Sequence, residues 1–279
     1  MTGADPAGAL AAGRRWAQDL ARWSIPEHIL RAAPRSPWGF DVSTFGAAAD
    51  AALARSEDTP SDAAARAALP NGGSVLDVGA GAGAAGLRLH EAAGLITAVD
   101  TSEELLAEFT RRAERLGLRH RSVVGRWPDS VDAVEPADVV VCHHVLYNVP
   151  DLVEFASALD ARALLKVVIE LPEVHPLTWL APLWRELHGL ERPARPTGEQ
   201  ALAVLRALGL DVEVVRWRRP YAQPERSGLS TERIARWLCL GPERLDELSA
   251  ALQRHPPPDG RDVLTLCWAP SGTAPGRSG

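Results

Sequence analysis

Two rhythms of apolar and polar positions follow each other along the chain and divide it into three zones. Residues 7–70 have a helical rhythm, in which Trp16 and Trp23 lie seven positions apart on one predicted helical face. Residues 71–170 alternate short, continuous apolar runs with amphipathic stretches. Residues 171–270 interrupt that alternation with Trp- and Pro-rich stretches that are too long for simple crossovers. The pattern predicts one sheet-based domain with added helices.

The apolar runs predict the strands of a mostly parallel sheet. They are continuous rather than alternating, which is typical of strands that are covered by helices on both faces. The predicted fold is α/β: a Rossmann-like, doubly wound, mostly parallel seven-stranded sheet with an antiparallel last strand and an N-terminal helical cap. The predicted strands are residues 74–78, 96–100, 121–125, 137–142, 164–170, 210–217 and 261–269.

The same zones set the predicted domain boundaries. Residues 1–70 are expected to form the N-terminal cap or lid, and residues 71–270 the Rossmann-like core. Insertions over 171–196 and 222–258 are expected on the substrate side of that core. Residues 271–279 are small and polar and are predicted to form a flexible tail.

Glycines and capping residues mark where the helices begin and end. The glycine-rich segment after the first strand is predicted to open a helix over residues 83–92. Gly117 and Gly209 predict the ends of two later helices. Three pairs have the spacing of a capping box: Ser24 with Glu27, Thr101 with Glu104, and Thr197 with Gln200.

Composition narrows the class of protein. Of the residues, 46% are hydrophobic and 24% charged, and the formal net charge is −6, so no overall basic field attracts a polyanion. No run reaches the ~18 apolar residues that cross a bilayer, and the N-terminus lacks the pattern of a secretory signal. The three cysteines form no CxxC pair and lie in apolar stretches. These features predict a cytoplasmic protein without a membrane partner.

The segment VLDVGAGAGAAGL, residues 75–87, carries most of the chemical information. An apolar strand runs directly into a glycine-rich turn, where backbone N–H groups can approach a ligand closely. The next strand ends in Asp100, which is placed to accept the hydroxyls of an adenosine ribose. Residues 81–86 match the dinucleotide fingerprint GxGxxG, but Asp77 would repel a pyrophosphate and attract an ammonium group. S-adenosylmethionine has such an ammonium group, and a nicotinamide dinucleotide is the alternative.

These motifs together resemble those of the class I S-adenosylmethionine-dependent methyltransferases. The D-V-G-A-G-A-G segment is similar to the first motif of that family, and ITAVD to its ribose-binding motif. ADVVVCHHVLYNVPDL, residues 137–152, resembles its fourth-strand pattern. The resemblance covers about residues 70–215, and the whole chain is similar to methyltransferase-domain proteins of high-GC bacteria.

The resemblance implies a cofactor site at the carboxyl ends of the first four strands. The family usually has an acid after the third strand, whereas this chain has Arg126 there, so Trp127 stacking on adenine or backbone groups are the alternatives. The implied cofactor-binding residues are Asp77, Gly79, Ala80, Gly81, Gly83, Asp100, Thr101, Arg126, Trp127 and His143.

Methyl transfer requires an aligned nucleophile and sometimes a base that removes its proton. His144 and His175 are candidate bases, with Tyr147 beside them, because an imidazole titrates near neutral pH. No third ligand is spaced with the His143–His144 pair, so no metal is expected. The candidate substrate-binding residues are Trp38, Phe40, Tyr147, Asn148, Glu170, His175 and Trp179.

We therefore predict an S-adenosylmethionine-dependent methyltransferase that acts on a small molecule. The expected acceptor is an aromatic compound or a secondary metabolite. The rivals are an RNA or protein methyltransferase, which the basic and aromatic segment 214–226 keeps open, and a nicotinamide-dinucleotide-binding Rossmann protein. The sequence leaves open whether the chain is a monomer or a homodimer.

Overall fold

The apolar runs form a single sheet at the centre of the molecule. The computed structural model describes residues 5–38, 42–221 and 230–272. The strands are β1 (Gly73–Val78), β2 (Ala93–Asp100), β3 (His120–Val124), β4 (Ala137–His143), β5 (Ala163–Pro172), β6 (Glu213–Pro220) and β7 (Gly260–Trp268). The described helices are α1 (Pro6–Ala21), α2 (Glu27–Ala32), α3 (Val42–Leu53), α4 (Pro60–Ala68), α5 (Glu103–Arg115), α6 (Leu152–Arg162), α7 (Ala181–His188), α8 (Gly198–Ala207), α9 (Thr231–Trp237) and α10 (Leu245–Arg254).

The sheet has the predicted class and seven strands. Their order is β3-β2-β1-β4-β5-β7-β6. Strands β1 to β5 pair in parallel, whereas β7 is antiparallel to both β5 and β6. The chain order reverses between β1 and β4, and open α/β sheets bind ligands at the carboxyl ends of strands beside such a point.

Helices cover both faces of this sheet, so consecutive residues of one strand enter different cores. In β1, Leu76 packs into the apolar cluster that α1, α6 and α8 share, with Trp16 and Trp268 at its centre. Val75 packs into the cluster on the opposite face, with Phe109 of α5 and residues of α4. Burial on both faces explains why the strands are continuously apolar in sequence.

A third apolar cluster lies outside the two sheet faces. It is built by α2, α7, α9 and α10, and Trp184 and Leu248 are buried within it. Helices from the two predicted insertions, α7 from one and α9 and α10 from the other, therefore pack with α2. We call these four helices the cap. The boundary expected for that cap, residues 1–70, stays a prediction: α2 joins the third cluster, whereas α1 packs on α6 and α8 and α4 packs on the sheet.

The predicted helix over residues 83–92 is also wrong. Only a short 3-10 helix forms there, over Gly86–Leu89. Gly83 has a φ of +92°, which an α-helix does not accept, and the N–H of Gly86 is bound by the side chain of Asp77. The ligand-facing N–H groups of this segment therefore belong to a turn.

The helix ends follow the predictions only in part. Thr197 and Gln200 form the predicted capping box, and Gly117 and Gly209 adopt positive φ values after their helices. The other boxes do not form. Pro26 precedes α2 without a side-chain cap, and Ser102 caps α5 through the N–H of Leu105.

Candidate active site

The turn after β1 is shaped by three glycines with positive φ. These values are +73° at Gly79, +53° at Gly81 and +92° at Gly83, a region that favours glycine. A Cβ on Gly79 would lie 2.3 Å from Cγ2 of Val145, so the loop after β4 approaches the turn closely. The N–H groups of Gly79 and Ala80 both donate to the carbonyl of Val99 in β2. The turn is thereby fixed to the neighbouring strand.

Asp77 is a buried carboxylate beneath this turn. Its Oδ2 accepts the N–H of Gly86 at 2.8 Å, while its Oδ1 is buried and has no hydrogen-bond partner among the described residues. Burial raises the pKa of Asp77 to about 7, against the Gly86 hydrogen bond, and the charge of Asp100 adds to the increase. A ligand with a positive charge or N–H donors near Asp77 would offset this cost.

Asp100 is half-buried at the end of β2 and is held by two backbone groups. Gly81 donates to Oδ2 at 2.8 Å, and Ser102 donates to Oδ1 at 2.9 Å. An ionised carboxylate oxygen has two lone pairs, so each oxygen can accept one further hydrogen bond. The carboxylate is therefore oriented to receive two hydroxyl groups, as its predicted ribose role requires. Thr101 lies beside it and is exposed.

The residues after β3 contradict one cofactor prediction. Trp127 is buried in the core on the α6 side, and its indole N–H donates to the carbonyl of Phe155 at 3.3 Å. Its ring is occupied by core packing, so the prediction that it stacks on adenine is wrong. Arg126 is exposed at the same edge of the sheet.

His143 ends β4 on the same face of the sheet as Asp77. Asp77 pairs with Val141, and His143 lies two residues further along. The Nε2 atom of His143 is buried and has no partner among the described residues. Burial lowers the pKa of His143, so its imidazole is neutral at pH 7. Oδ1 of Asp77 and Nε2 of His143 are thus two buried atoms without a described partner. They lie on neighbouring strands and on the same face of the sheet.

His144 points to a different group of residues. It has a φ of +61°, and its N–H donates to the carbonyl of Glu170 at 2.7 Å. Its Nε2 lies 2.9 Å from Oε1 of Glu170 and 2.9 Å from Nη1 of Arg219. Burial lowers the pKa of His144 to about 3, and the charge of Arg261 lowers it further. His144 as a general base stays a prediction, because Nε2 is committed to Glu170 while the buried Nδ1 has no partner among the described residues.

Glu170 is buried on β5 and stays ionised. Burial opposes its charge, but the hydrogen bond from His144 and the charge of Arg219 hold the pKa of Glu170 below its usual range. Arg219 and Arg261 reach this cluster from β6 and β7. Sequence reasoning missed both, although Arg219 lies in the basic segment 214–226, because only the antiparallel pairing brings these strands beside β5.

His175 and Tyr147 both pack against neighbouring aromatic rings in this structure, and their catalytic roles stay predictions. The His175 ring stacks on Trp23, with centroids 3.7 Å apart, and meets Tyr147 edge-on at 5.2 Å. Its Nδ1 accepts the N–H of Leu177, so the neutral ring carries its proton on Nε2. Burial lowers the pKa of His175 to about 4.

The hydroxyl of Tyr147 is equally committed. It donates to the carbonyl of Pro172 at 2.9 Å within the core, and burial raises the pKa of Tyr147 above its ordinary value. The hydroxyl of Tyr147 therefore offers no free atom to an acceptor, whereas Nε2 of His175 is not used by these contacts. Both residues fasten the segment after β5 to the end of β4.

The remaining predicted substrate-binding residues are scattered around this edge. Trp38 and Asn148 are exposed, and Trp179 packs partly buried against the third cluster. Phe40 lies outside the described residues. Within the described ranges, no three His, Cys, Asp or Glu side chains are grouped to hold a metal ion.

Comparison with known proteins decides which ligand the turn serves. Residues 75–166 match the family described as "Methyltransferase domain". Over these residues the chain has a methyltransferase domain, which agrees with the resemblance to class I S-adenosylmethionine-dependent methyltransferases. S-adenosylmethionine is the cofactor that this domain implies. No curated protein matches its sequence.

Solved structures share the fold of the methyltransferase at low sequence identity. The YcgJ protein from Bacillus subtilis is 15% identical with a TM-score of 0.52, over 75% of this chain and 97% of its own. A provisionally named sarcosine dimethylglycine methyltransferase from Galdieria sulphuraria is 12% identical with a TM-score of 0.52, over 88% and 96%. A provisionally named methyltransferase from Bacillus halodurans is 16% identical with a TM-score of 0.51, over 73% and 94%.

The residues present fit S-adenosylmethionine. The unpartnered Oδ1 of Asp77 suits the ammonium group of its methionine part. The oriented oxygens of Asp100 suit its ribose hydroxyls. No described helix of the methyltransferase is both long and apolar enough to cross a bilayer.

Proposed function

We propose that the methyltransferase transfers the methyl group of S-adenosylmethionine to a small-molecule acceptor by in-line displacement. The observation that carries the proposal is the enclosure of the reaction edge by the chain's own helices. Oδ1 of Asp77 and Nε2 of His143 are shielded from water. Arg233 of α9 donates to the hydroxyl of Thr44 in α3 at 2.6 Å, which ties the cap to the helix beside the turn. An enclosed edge suits a small acceptor better than a macromolecule.

Different groups of residues would bind the different parts of the cofactor and the acceptor. Asp77 and His143 would hold the methionine part, and the three glycines and Asp100 would hold the ribose. When bound, the cofactor supplies an electrophilic sulfonium methyl group. The ion-paired cluster of His144, Glu170 and Arg219 would fix one wall of the acceptor site at the end of β5. The helices above exclude water, which favours transfer to the bound acceptor over side reactions.

The arginines in the described part of the basic segment that kept an RNA acceptor open, residues 214–221, form ion pairs in the fold. Arg216 pairs with Glu199, and Arg218 pairs with Asp259 and Asp262. These ion pairs leave little uncompensated positive charge on the described part of β6, and the net charge is −6. A small-molecule acceptor is therefore preferred to RNA.

Two further properties are part of the same proposal. The three cysteines are buried and unpaired, which supports a reducing, cytoplasmic location. The buried carboxylate of Asp77 beneath the turn supports the sulfonium cofactor over a nicotinamide dinucleotide, whose pyrophosphate it would repel.

Calorimetry and a methyl-transfer assay test the proposal separately. The purified chain should bind S-adenosylhomocysteine and should not bind NADH. With methyl-labelled S-adenosylmethionine, label should appear in members of a panel of small amines, phenols, thiols and carboxylic acids. Binding of NADH alone would contradict the cofactor. Labelling of added tRNA, rRNA or protein, with none of the panel labelled, would contradict the small-molecule acceptor.

A further inference from the structure

Arg112 on α5 is a buried arginine that lies outside the site described above. It is 4% exposed, and its guanidinium donates to the neighbouring helix α3 and to its own helix α5. Nε and Nη2 hold the two carboxylate oxygens of Asp50 at 2.8 and 2.9 Å, and Nη2 also reaches the carbonyl of Gly46 at 2.8 Å. Nη1 binds Glu108 at 2.7 Å within α5. Arg112 therefore joins α5 to α3 through a bidentate, charge-assisted contact.

The helix that Arg112 holds lies over the glycine-rich turn. Phe45, in the first turns of α3, has its Cδ1 3.5 Å from the place that a Cβ on Gly81 would occupy. The N–H of Gly81 donates to Asp100, the ribose acid, and α5 begins just after that acid. The start of α5 is thus fixed close to Asp100. Because Arg112 binds α5 to α3, it also fixes where α3 and Phe45 lie relative to Asp100.

The other end of α3 has an independent tether. Arg88, in the 3-10 helix after the turn, donates to the carbonyl of Arg55 at 2.9 Å and to Asp58 at 2.7 Å. Arg88 is also buried. The end of α3 near residue 55 is therefore fixed even without Arg112, and the part that depends on Arg112 is the first half, which carries Phe45.

We propose that Arg112 is a positioning residue for cofactor binding, because it holds Phe45 over the turn that grips S-adenosylmethionine. The proposal rests on the cofactor assigned to the family. A guanidinium is needed because its planar fork meets both oxygens of Asp50 and the carbonyl of Gly46 together. A lysine ammonium at this position can keep the charge but not the fork.

A double-mutant cycle on cofactor affinity tests the proposal. The dissociation constant of S-adenosylhomocysteine is measured by calorimetry for the wild type, Arg112→Met, Phe45→Ala and the double variant. We expect each single change to weaken binding about tenfold, and the double variant to bind no more weakly than the weaker single variant. Arg112→Lys should recover only part of the loss. A purely structural role would lower Tm and leave the dissociation constant unchanged.

Asp50→Ala provides a second variant that keeps the fold. Asp50 is largely exposed, and alanine favours helix, so this change removes the bidentate contact without leaving a buried gap. It should weaken S-adenosylhomocysteine binding in the same direction as Arg112→Met. Arg111→Met is the matched control, since Arg111 lies next in the chain, is exposed and pairs only within α5. The control should bind like the wild type.

Hydrogen exchange in the absence of cofactor gives an independent reading. In Arg112→Met and Asp50→Ala, amide exchange should rise across residues 42–50 and stay unchanged across the strands β1 and β2. Unchanged exchange in α3, or additive effects of Arg112→Met and Phe45→Ala on affinity, overturns the proposal. A wild type that does not bind S-adenosylhomocysteine overturns the cofactor assignment, and the positioning role with it, whatever the exchange shows.

Discussion

Asp77 and Asp100 end two adjacent parallel strands, and each accepts a backbone N–H from the same glycine-rich turn. Gly86 donates to Asp77 and Gly81 donates to Asp100, both at 2.8 Å. Hydrogen bonds to these two carboxylates therefore hold the turn in its shape. It also concentrates negative charge where a cationic cofactor binds, and the charge of Asp100 contributes to the raised pKa of Asp77.

Asp77→Asn should remove the dependence of stability on pH that Asp77 causes. The pKa of Asp77 is about 7 in the fold against 3.8 unfolded, so the stability it contributes is present below about pH 4 and is lost as pH rises to 7. The variant should not show this loss. At pH 8 the free energy of unfolding of the cofactor-free variant should exceed that of the wild type, by at most about 4 kcal/mol. Urea unfolding from pH 4 to pH 8 measures the difference.

The same substitution should weaken the cofactor. Without the carboxylate, affinity for S-adenosylhomocysteine should fall at least tenfold, because a charge-assisted hydrogen bond is lost. Asp129→Asn, at an exposed position after β3, is the control and should change neither stability nor affinity. A variant that binds as tightly as the wild type would show that Asp77 does not meet the ammonium group.

Asp100→Ala should abolish cofactor binding and keep the fold. The change removes the acceptor for the ribose hydroxyls and for the N–H groups of Gly81 and Ser102. Asp100 is only half-buried, so these N–H groups can turn to water and the loss of stability should stay near about 1 kcal/mol. Calorimetry with S-adenosylhomocysteine and a thermal melt measure the two effects. Unchanged affinity would mean that the ribose lies elsewhere.

Glu170→Gln should destabilise the end of β5 by about 3 kcal/mol at pH 7, since it breaks a buried ion pair with Arg219. The pKa of Glu170 is lowered in the fold, so its contribution is present above its unfolded pKa of 4.5 and is lost as pH falls further. The difference in unfolding free energy between wild type and variant should therefore shrink below pH 4.5. A difference that is constant from pH 7 to pH 3 contradicts the ion pair.

His175→Phe should preserve methyl transfer, because the His175 ring packs between Trp23 and Tyr147 and its Nδ1 is bound to the N–H of Leu177. The pKa of His175 is about 4 in the fold and 6.5 unfolded, so its stability is present above pH 6.5 and is lost as pH falls toward 4. The variant should lose less stability in that window, by about 1–3 kcal/mol. Loss of all activity with an intact fold would restore a catalytic role.

Gly79→Ala should lower stability by about 2 kcal/mol or more, because its φ is +73° and the new Cβ would meet Val145. Val145→Ala in the same chain should recover the part that comes from the steric contact. Gly72→Ala is the matched control, since Gly72 also has a positive φ but open space around it, and it should show the backbone cost alone. Thermal melts of the wild type and the three variants separate the two causes.

The sequence predicted the seven strands and their mostly parallel pairing. Continuous apolar runs are short-range signals, and seven such runs led to seven strands with the antiparallel end. The helix predicted over residues 83–92 does not form, because the side chain of Asp77 in β1 binds the N–H of Gly86. The role of Trp127 failed for the same reason, since only the fold shows that α6 covers it.

By itself the sequence predicted the methyltransferase domain, its cofactor and the residues of the glycine-rich turn. These are local motifs, in which a strand, a turn and an acid follow each other within about thirty residues. The tertiary structure alone decided which polar groups are free and which are committed. The hydroxyl of Tyr147 is committed because the carbonyl of Pro172 lies against it, whereas Asp77 and His143 keep unpartnered atoms. Such commitments arise between residues far apart in the chain, and no local pattern records them.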